Sequence, residues 1–159
     1  MTFTSFMDLA LDEARAAAAR GEVPVGAVLV GPDGAVLARA GNRTRERADP
    51  TAHAEMEVIR EATARLGAER LTGCDLYVTL EPCPMCAAAI SFARIRRLYY
   101  GAADPKSGGT AHGARVFAHP QCHHVPEVYD GIGATEAEAL LKTFFADRRD
   151  GTGPSSDPD

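Results

Sequence analysis

The stretch Leu76-Tyr77-Val78-Thr79-Leu80-Glu81-Pro82-Cys83-Pro84-Met85-Cys86 decides the fold, because it passes from a strand pattern to a helix start within a few residues. Its apolar first half predicts a buried strand. Pro84 suits the first position of a helix, where a missing backbone N–H costs nothing, so Cys83 becomes the N-cap of a helix that runs to about Ala93. Both cysteines then lie where the positive end of the helix dipole favours thiolate over thiol.

Upstream, His53-Ala54-Glu55 adds an imidazole and a carboxylate. Together with Cys83 and Cys86, His53 completes a set of three ligands of the kinds that zinc prefers. Structural zinc sites normally close with four protein ligands, whereas catalytic sites keep the fourth position for water. Glu55 is close enough in sequence to handle the protons of that water. The sequence therefore predicts a hydrolytic metalloenzyme.

A fourth ligand has several possible suppliers in the downstream segment, namely His112, His119, His123 and His124. Histidines scattered through a polar loop are more often surface or hydrogen-bonding groups, which is the interpretation we favour. His123-His124 are alternatively candidates for substrate contact. If one of these histidines filled the metal, a non-enzymatic, zinc-stabilised interaction module would be the better interpretation.

Size and composition set the class of protein. A chain of 159 residues is most simply one domain, which we place at residues 1–149, followed by an acidic and polar tail at 150–159 that we expect to be disordered. We find no secretory leader and no apolar run near eighteen residues, so we expect a cytoplasmic enzyme without a membrane segment. In that compartment four cysteines favour a metal site over a disulfide framework.

The net charge of −5 neither supports nor excludes a nucleic-acid partner. Phosphates respond to local charge within a Debye length, so local basic patches matter more than the total. The candidate patches are Arg43, Arg45 and Arg47, then Arg94, Arg96 and Arg97, and finally Lys106. Most of these side chains are expected to be solvated surface charges.

Helices alternate with strands along the chain, which predicts an α/β fold with one sheet covered by helices on both faces. Turn chemistry at 31–34 joins two strands into a hairpin, so part of the sheet is antiparallel and the sheet is mixed. The expected strands cover 23–30, 36–40, 76–80 and 98–101, and the expected helices cover 5–20, 49–66, 83–93 and the segment from 135 onward.

The helix boundaries rest on capping signals. Ser5 with Asp8 and Thr135 with Glu138 resemble capping boxes. Asp49-Pro50 is a cap followed by a proline at the first helical position. In the helix that follows, Ile59, Ala62 and Leu66 are expected to face the core.

The pattern H-x-E…P-C-x-x-C is typical of zinc-dependent nucleobase deaminases. Beyond it, the chain resembles the bacterial tRNA-specific adenosine deaminases of the cytidine-deaminase fold, from about Phe6 to Arg149. The stretches that carry the resemblance are 21–28 (GEVPVGAV), 41–43 (GNR), 49–55 (DPTAHAE), 76–86 (LYVTLEPCPMC), 93–95 (ARI), 100–102 (YGA) and 104–106 (DPK).

The resemblance implies a three-layer α/β/α fold with a mixed central sheet. It implies a homodimeric, zinc-dependent enzyme that converts adenosine to inosine at the wobble position, A34, of a tRNA anticodon, typically an arginine tRNA in bacteria. His53, Cys83 and Cys86 would bind one Zn²⁺ per chain, and Glu55 would be the proton shuttle. The tRNA anticodon stem-loop would be the partner.

The resemblance also implies substrate contacts. Asn42 would contact the base, although an asparagine that stabilises a turn fits the same position equally well. Asp104, Lys106 and Ser107 would lie where the loop of this family approaches the anticodon. The continuation of that loop at 108–112 follows no family pattern, which leaves the fine substrate choice open.

The same zinc chemistry serves a second class of enzyme, the deaminases of a free base or nucleoside such as guanine or cytidine. The metal motif does not separate the two classes. A deep closed pocket would favour a small molecule, while an open, positively rimmed groove would favour RNA.

Overall fold

The computed structural model describes residues 5–149, in which four α-helices cover a five-stranded sheet. The helices are α1 (Met7–Ala19), α2 (Ala54–Leu66), α3 (Pro84–Phe92) and α4 (Ala134–Arg149). The strands are β1 (Gly26–Val30), β2 (Val36–Gly41), β3 (Asp75–Leu80), β4 (Arg97–Ala102) and β5 (Glu127–Tyr129).

The sheet has the order β2-β1-β3-β4-β5. Strand β1 is antiparallel to both β2 and β3, whereas β3, β4 and β5 are parallel. The parallel pair β3 and β4 is joined through α3, as a crossover connection requires. The expected α/β fold with a mixed sheet is therefore confirmed.

Alternation along the central strands produces the three layers. In β3, Leu76 and Val78 belong to one apolar cluster, which also includes buried residues of α2 and α3. Tyr77, between them, belongs to a second cluster with residues of α1 and α4. Because successive strand residues point to opposite faces, each face of the sheet packs against its own pair of helices.

A row of aromatic rings runs from the second cluster across three parallel strands. Tyr77 of β3 stacks on Tyr99 of β4 with ring centroids 4.4 Å apart, and Tyr99 stacks on Tyr129 of β5 at 5.1 Å. Such offset ring pairs add to the free energy gained by burial alone. The row anchors β5, a strand of three exposed residues that the sequence patterns did not predict.

The α1 region closes tightly over the start of β1. The strand begins at Gly26, three residues later than predicted, because the N–H of Val25 bonds to the carbonyl of Val23 in a tight turn. A Cβ atom on Gly26 would overlap the carbonyl oxygen of Ala10 in α1. Only glycine permits this approach of helix to strand.

Both predicted capping boxes are wrong. Helix α1 begins at Met7 with Phe6 as N-cap, and Ser5 lies outside it, where its hydroxyl accepts a hydrogen bond from the Met7 N–H at 3.2 Å. Helix α4 already begins at Ala134, so Thr135 lies inside its first turn.

The predicted start of α2 is also wrong. The Asp49 carboxylate accepts hydrogen bonds from the N–H and the hydroxyl of Thr51, at 2.8 and 2.7 Å, and so closes a local turn. The helix begins only at Ala54. At its other end Leu66 is 51% exposed, so it does not face the core, whereas Ile59 and Ala62 do.

The expected tail at 150–159 lies outside the described residues. Within residues 5–149, no helix has both the length and the apolar character needed to cross a membrane.

Candidate active site

The starts of two helices meet at the proposed metal centre. His53 is the N-cap of α2, whereas the predicted start at Asp49-Pro50 would have placed it inside the first turn, and Cys83 is the N-cap of α3. His53 Nδ1 lies 3.6 Å from Cys83 Sγ and 3.5 Å from Cys86 Sγ. Tetrahedral zinc, with its usual bonds to nitrogen and sulfur, separates two such ligands by about 3.5 Å. Both nitrogen–sulfur distances therefore suit a zinc ion, and all three ligand atoms lie within 4.8 Å of one another.

His53 remains available as a ligand because another residue caps its helix. Asn42 Oδ1 accepts a hydrogen bond from the N–H of Ala54 at 2.8 Å, whereas the His53 side chain makes no capping bond. The imidazole also hydrogen-bonds to the carbonyl of Pro50, which orients the ring. A second hydrogen bond of this kind is usual for a metal-binding histidine.

The electrostatics of the cluster favour an anionic sulfur. A hydrogen bond from Cys86 is the largest of the effects that lower the pKa of Cys83 to about 4, and a further hydrogen bond from His53 adds to it. The hydrogen bond with Cys83 is also the largest effect that raises the pKa of Cys86, and burial adds to it. A bound zinc ion would hold both sulfurs as thiolates.

Glu55 lies in the first turn of α2 and is only 4% exposed. Its carboxyl group hydrogen-bonds with the Cys86 thiol, and burial raises its pKa. The spacing of His53 and Glu55 does not place them on one helical face. They converge because His53 has extended backbone at the N-cap, whereas Glu55 is already helical.

Within the described residues, His53, Cys83 and Cys86 form the one group of three or more candidate ligands, and no fourth joins them. Three of the four downstream histidines are engaged elsewhere, and His123 lines a separate pocket beside Phe92. His112 Nδ1 lies 2.7 Å from the Glu81 carboxylate, and His124 Nε2 lies 2.7 Å from the Ile95 carbonyl oxygen. His119 Nδ1 accepts a hydrogen bond from Gln121. A metal held by His53, Cys83 and Cys86 would therefore keep one position open, the arrangement typical of a catalytic site.

A pocket of about 480 Å³ opens beside the cluster. This volume is within the range of small-ligand sites. Besides three members of the centre (His53, Glu55 and Cys83), its lining comprises Val23, Val25, Asn42, Thr44, Pro50, Leu80, Glu81, Asp104 and Ser107. Of the expected substrate contacts, Asn42, Asp104 and Ser107 thus face this pocket, whereas Lys106 is exposed and is not part of the lining.

Two buried carboxylates near the pocket were missed in the sequence. Glu22 is 1% exposed and accepts backbone hydrogen bonds from Arg45 and Glu46, each at 3.0 Å. Glu81 is 2% exposed and accepts hydrogen bonds from the loop that follows β4. Burial raises the pKa of Glu81, but its hydrogen bonds with Asp104 and His112 outweigh this effect and hold the pKa below its ordinary value. The sequence signal that could have indicated Glu22 and Glu81 is a charged residue directly beside an apolar stretch.

Most arginines of the expected basic patches form ion pairs. Arg43 pairs with Glu46, and Arg47 pairs with Glu57 at 3.1 Å. At the start of β4, Arg96 pairs with Asp75 and Arg97 with Glu127, both at 2.8 Å. These pairs reduce the positive charge that the patches offer to phosphates.

Comparison with known proteins assigns this architecture to a family. The family model for the cytidine and deoxycytidylate deaminase zinc-binding region matches residues 2–102. The tRNA-specific adenosine deaminase of Agrobacterium fabrum is 64% identical over 146 residues, which is 92% of this chain and 95% of that protein. The Bacillus subtilis enzyme of the same name is 43% identical over 144 residues, 91% of this chain and 89% of that protein.

Solved structures support the same family assignment. A structure from a study of A-to-I editing by tRNA:A34 deaminases is 65% identical, has a TM-score of 0.84 and covers 86% of this chain and 98% of its own. A guanine deaminase from Bacillus subtilis is 32% identical with a TM-score of 0.63, over 99% of both chains. The matched region includes the helix starts that bring His53, Cys83 and Cys86 together. This chain belongs to the zinc-binding cytidine and deoxycytidylate deaminase family and, within it, to the tRNA-specific adenosine deaminases.

Proposed function

We propose that this protein hydrolyses adenosine to inosine, with release of ammonia, at the wobble position of a tRNA anticodon. The observation that carries the proposal is a three-ligand metal centre, with a buried carboxylate beside it, at a pocket open to solvent. The 64% identity to a tRNA-specific adenosine deaminase over nearly the whole chain supports the choice of substrate.

His53, Cys83 and Cys86 would hold one zinc ion per chain. Zinc in such a site is a Lewis acid that lowers the pKa of water towards neutrality. Glu55 is the proton carrier in this proposal: it accepts the two protons of the water in turn, delivers the first to the purine ring nitrogen and delivers the second to the departing amine. Burial suits the accepting step of this role, because it raises the pKa of Glu55 and so makes its carboxylate a stronger base.

Asn42, Asp104 and Ser107 would contact the substrate. The amide nitrogen of Asn42 is free to donate to a base, since its oxygen is already bound to Ala54. Asp104 and Ser107 lie on the opposite loop of the pocket, and the exposed Lys106 beside them would meet RNA phosphate. A base must leave its stack to reach the metal, and anticodon loops present such bases readily.

The second candidate function is deamination of a free base such as guanine. The 32% identity to a guanine deaminase over the whole chain favours it, but this identity is half of the 64% found with the tRNA enzyme. The test is to incubate the zinc-loaded protein with an anticodon stem-loop carrying A at the wobble position, and separately with free guanine, cytidine and adenosine. We expect inosine in the stem-loop alone. Turnover of free guanine or cytidine, with an unchanged stem-loop, would transfer the assignment to the second candidate.

The proposed enzyme is a homodimer of single-domain chains, residues 1–149, that acts where tRNA resides, in the cytoplasm. A large exposed side chain supports the dimer: Phe92 at the end of α3 is 74% exposed between two surface pockets. A second copy would remove this apolar surface from water. Sedimentation should give two chains per particle, and Phe92→Glu should give one. A monomeric wild-type protein would contradict the dimer.

A further inference from the structure

The loop between β4 and β5 wraps around one buried side chain. Glu81 follows β3 directly, and none of its side chain reaches solvent. Its Oε1 accepts a hydrogen bond from the Asp104 N–H at 3.1 Å and lies 2.7 Å from His112 Nδ1. Its Oε2 accepts bonds from the N–H groups of Thr110 and His112, at 3.3 and 3.1 Å. One carboxylate thus binds both ends of the segment 104–112.

Glycines let the loop reach this carboxylate. A Cβ atom on Gly108 would overlap both the Glu81 carboxylate and the carbonyl oxygen of Asp104. The next residue, Gly109, donates its N–H to the carbonyl of Pro82 at 2.8 Å. The loop is therefore held against the strand-to-helix turn that leads into Cys83.

The attachment also fixes the residues on the rim of the pocket. Asp104 Oδ1 accepts a hydrogen bond from the Ser107 N–H at 3.0 Å, so Ser107 is held by a residue that Glu81 itself holds. Both Asp104 and Ser107 line the pocket beside the metal centre. The chain of contacts runs from the buried carboxylate, through the loop, to the surface that a substrate meets.

We propose that Glu81 is a positioning residue, which holds the 104–112 loop in the conformation that receives the RNA. The inference rests on the proposed function, because it assigns Asp104 and Ser107 to RNA contact. Glu81 does not touch the substrate in this proposal. It acts before binding, because it orders the loop in the free protein. The conformational entropy of the loop is then not lost when the RNA binds.

Glu81→Gln tests the proposal with little change in volume. An amide replaces one acceptor oxygen by a donor, so at least one of the backbone N–H bonds loses its acceptor whichever way the amide is turned. Asp75→Asn is the matched control: it makes the same chemical change at the opposite end of β3, where Asp75 binds Arg96. Each variant would be assayed for zinc content, for kcat and KM on an anticodon stem-loop, and for hydrogen exchange of the loop amides.

For Glu81→Gln we expect wild-type zinc content, a KM raised about tenfold with a much smaller change in kcat, and faster exchange at Thr110 and His112. Asp75→Asn should match the wild type in all of these. Should Glu81→Gln fail to fold, Gly108→Ala displaces the loop while it keeps the carboxylate, and it should raise KM in the same way.

Three results would overturn the inference. The first is a Glu81→Gln protein with wild-type KM and wild-type exchange. The second is a Glu81→Gln protein in which loss of zinc accounts for a fall in kcat at constant KM. The third is a rise of KM in Asp75→Asn equal to that in Glu81→Gln. A wild-type protein that leaves the stem-loop unchanged would instead refute the proposed function. In that case the exchange at Thr110 and His112 still shows whether Glu81 holds the loop.

Discussion

The side-chain oxygen of Asn42 accepts a hydrogen bond from the backbone N–H of Ala54 at 2.8 Å. This bond ties the loop after β2 to the start of α2, directly beside His53. Asn42 therefore fits both interpretations that the sequence left open, a structural role and a substrate contact, because its oxygen stabilises the helix start and the residue itself lines the pocket. A single asparagine can therefore orient a metal ligand and offer a donor to a base.

Two substitutions separate these roles of Asn42. Asn42→Ala removes the capping oxygen and should lower the free energy of unfolding by about 1 kcal/mol. Asn42→Asp keeps an acceptor at the helix start but loses the N–H donors, so stability should be retained while kcat/KM on the stem-loop falls at least about tenfold. Chemical unfolding and steady-state kinetics measure the two effects. A wild-type kcat/KM in Asn42→Asp would leave Asn42 a structural role only.

Removing the metal should expose one reactive thiolate. Because its pKa is lowered to about 4 by its hydrogen bonds with Cys86 and His53, Cys83 stays ionised across the neutral range. In zinc-free protein carrying Cys122→Ser, we expect alkylation of Cys83 at a nearly constant rate between about pH 6 and pH 8. Added zinc should suppress it. Peptide mapping identifies the modified residue, and a rate that rises about tenfold per pH unit would indicate an ordinary thiol instead.

The tyrosine row predicts a loss of stability in alkali. Burial, followed by the charge of Tyr99, raises the pKa of Tyr77 to about 12. The folded state thus keeps a proton that the unfolded state releases near pH 10, so this contribution is complete below that pH and is lost as pH rises through the folded pKa. From about pH 9 to pH 11, the wild type should lose about 1 kcal/mol more than Tyr77→Phe in urea unfolding. Equal losses would contradict the shift.

Local patterns predicted the parts of the fold that short segments determine. The Cys83-Pro84 helix start agrees with the structure because N-cap and proline preferences act within one turn. The start of α2 did not follow from such preferences, because its cap is Asn42, twelve residues earlier in the chain, while Asp49 closes a separate turn with Thr51. Local chemistry alone does not reveal a bond of that kind.

The candidate site likewise contains residues that local sequence patterns predicted and residues that they did not. Ligand types and spacing identified His53, Cys83 and Cys86, since metal chemistry restricts both. Glu81 was missed because its partners lie more than twenty residues away, in a loop that no periodic pattern describes. Strand β5 was missed because three exposed residues carry no burial pattern.

The most direct measurement of the proposed chemistry is the activity of zinc-loaded Glu55→Gln on the wobble-adenosine stem-loop. The substitution keeps the shape of the side chain but removes the group that carries protons. Zinc content should equal that of the wild type, while inosine formation should fall by about 10²- to 10⁴-fold, the usual contribution of a general acid–base. A Glu55→Gln protein that forms inosine at the wild-type rate would contradict the proposed role of Glu55.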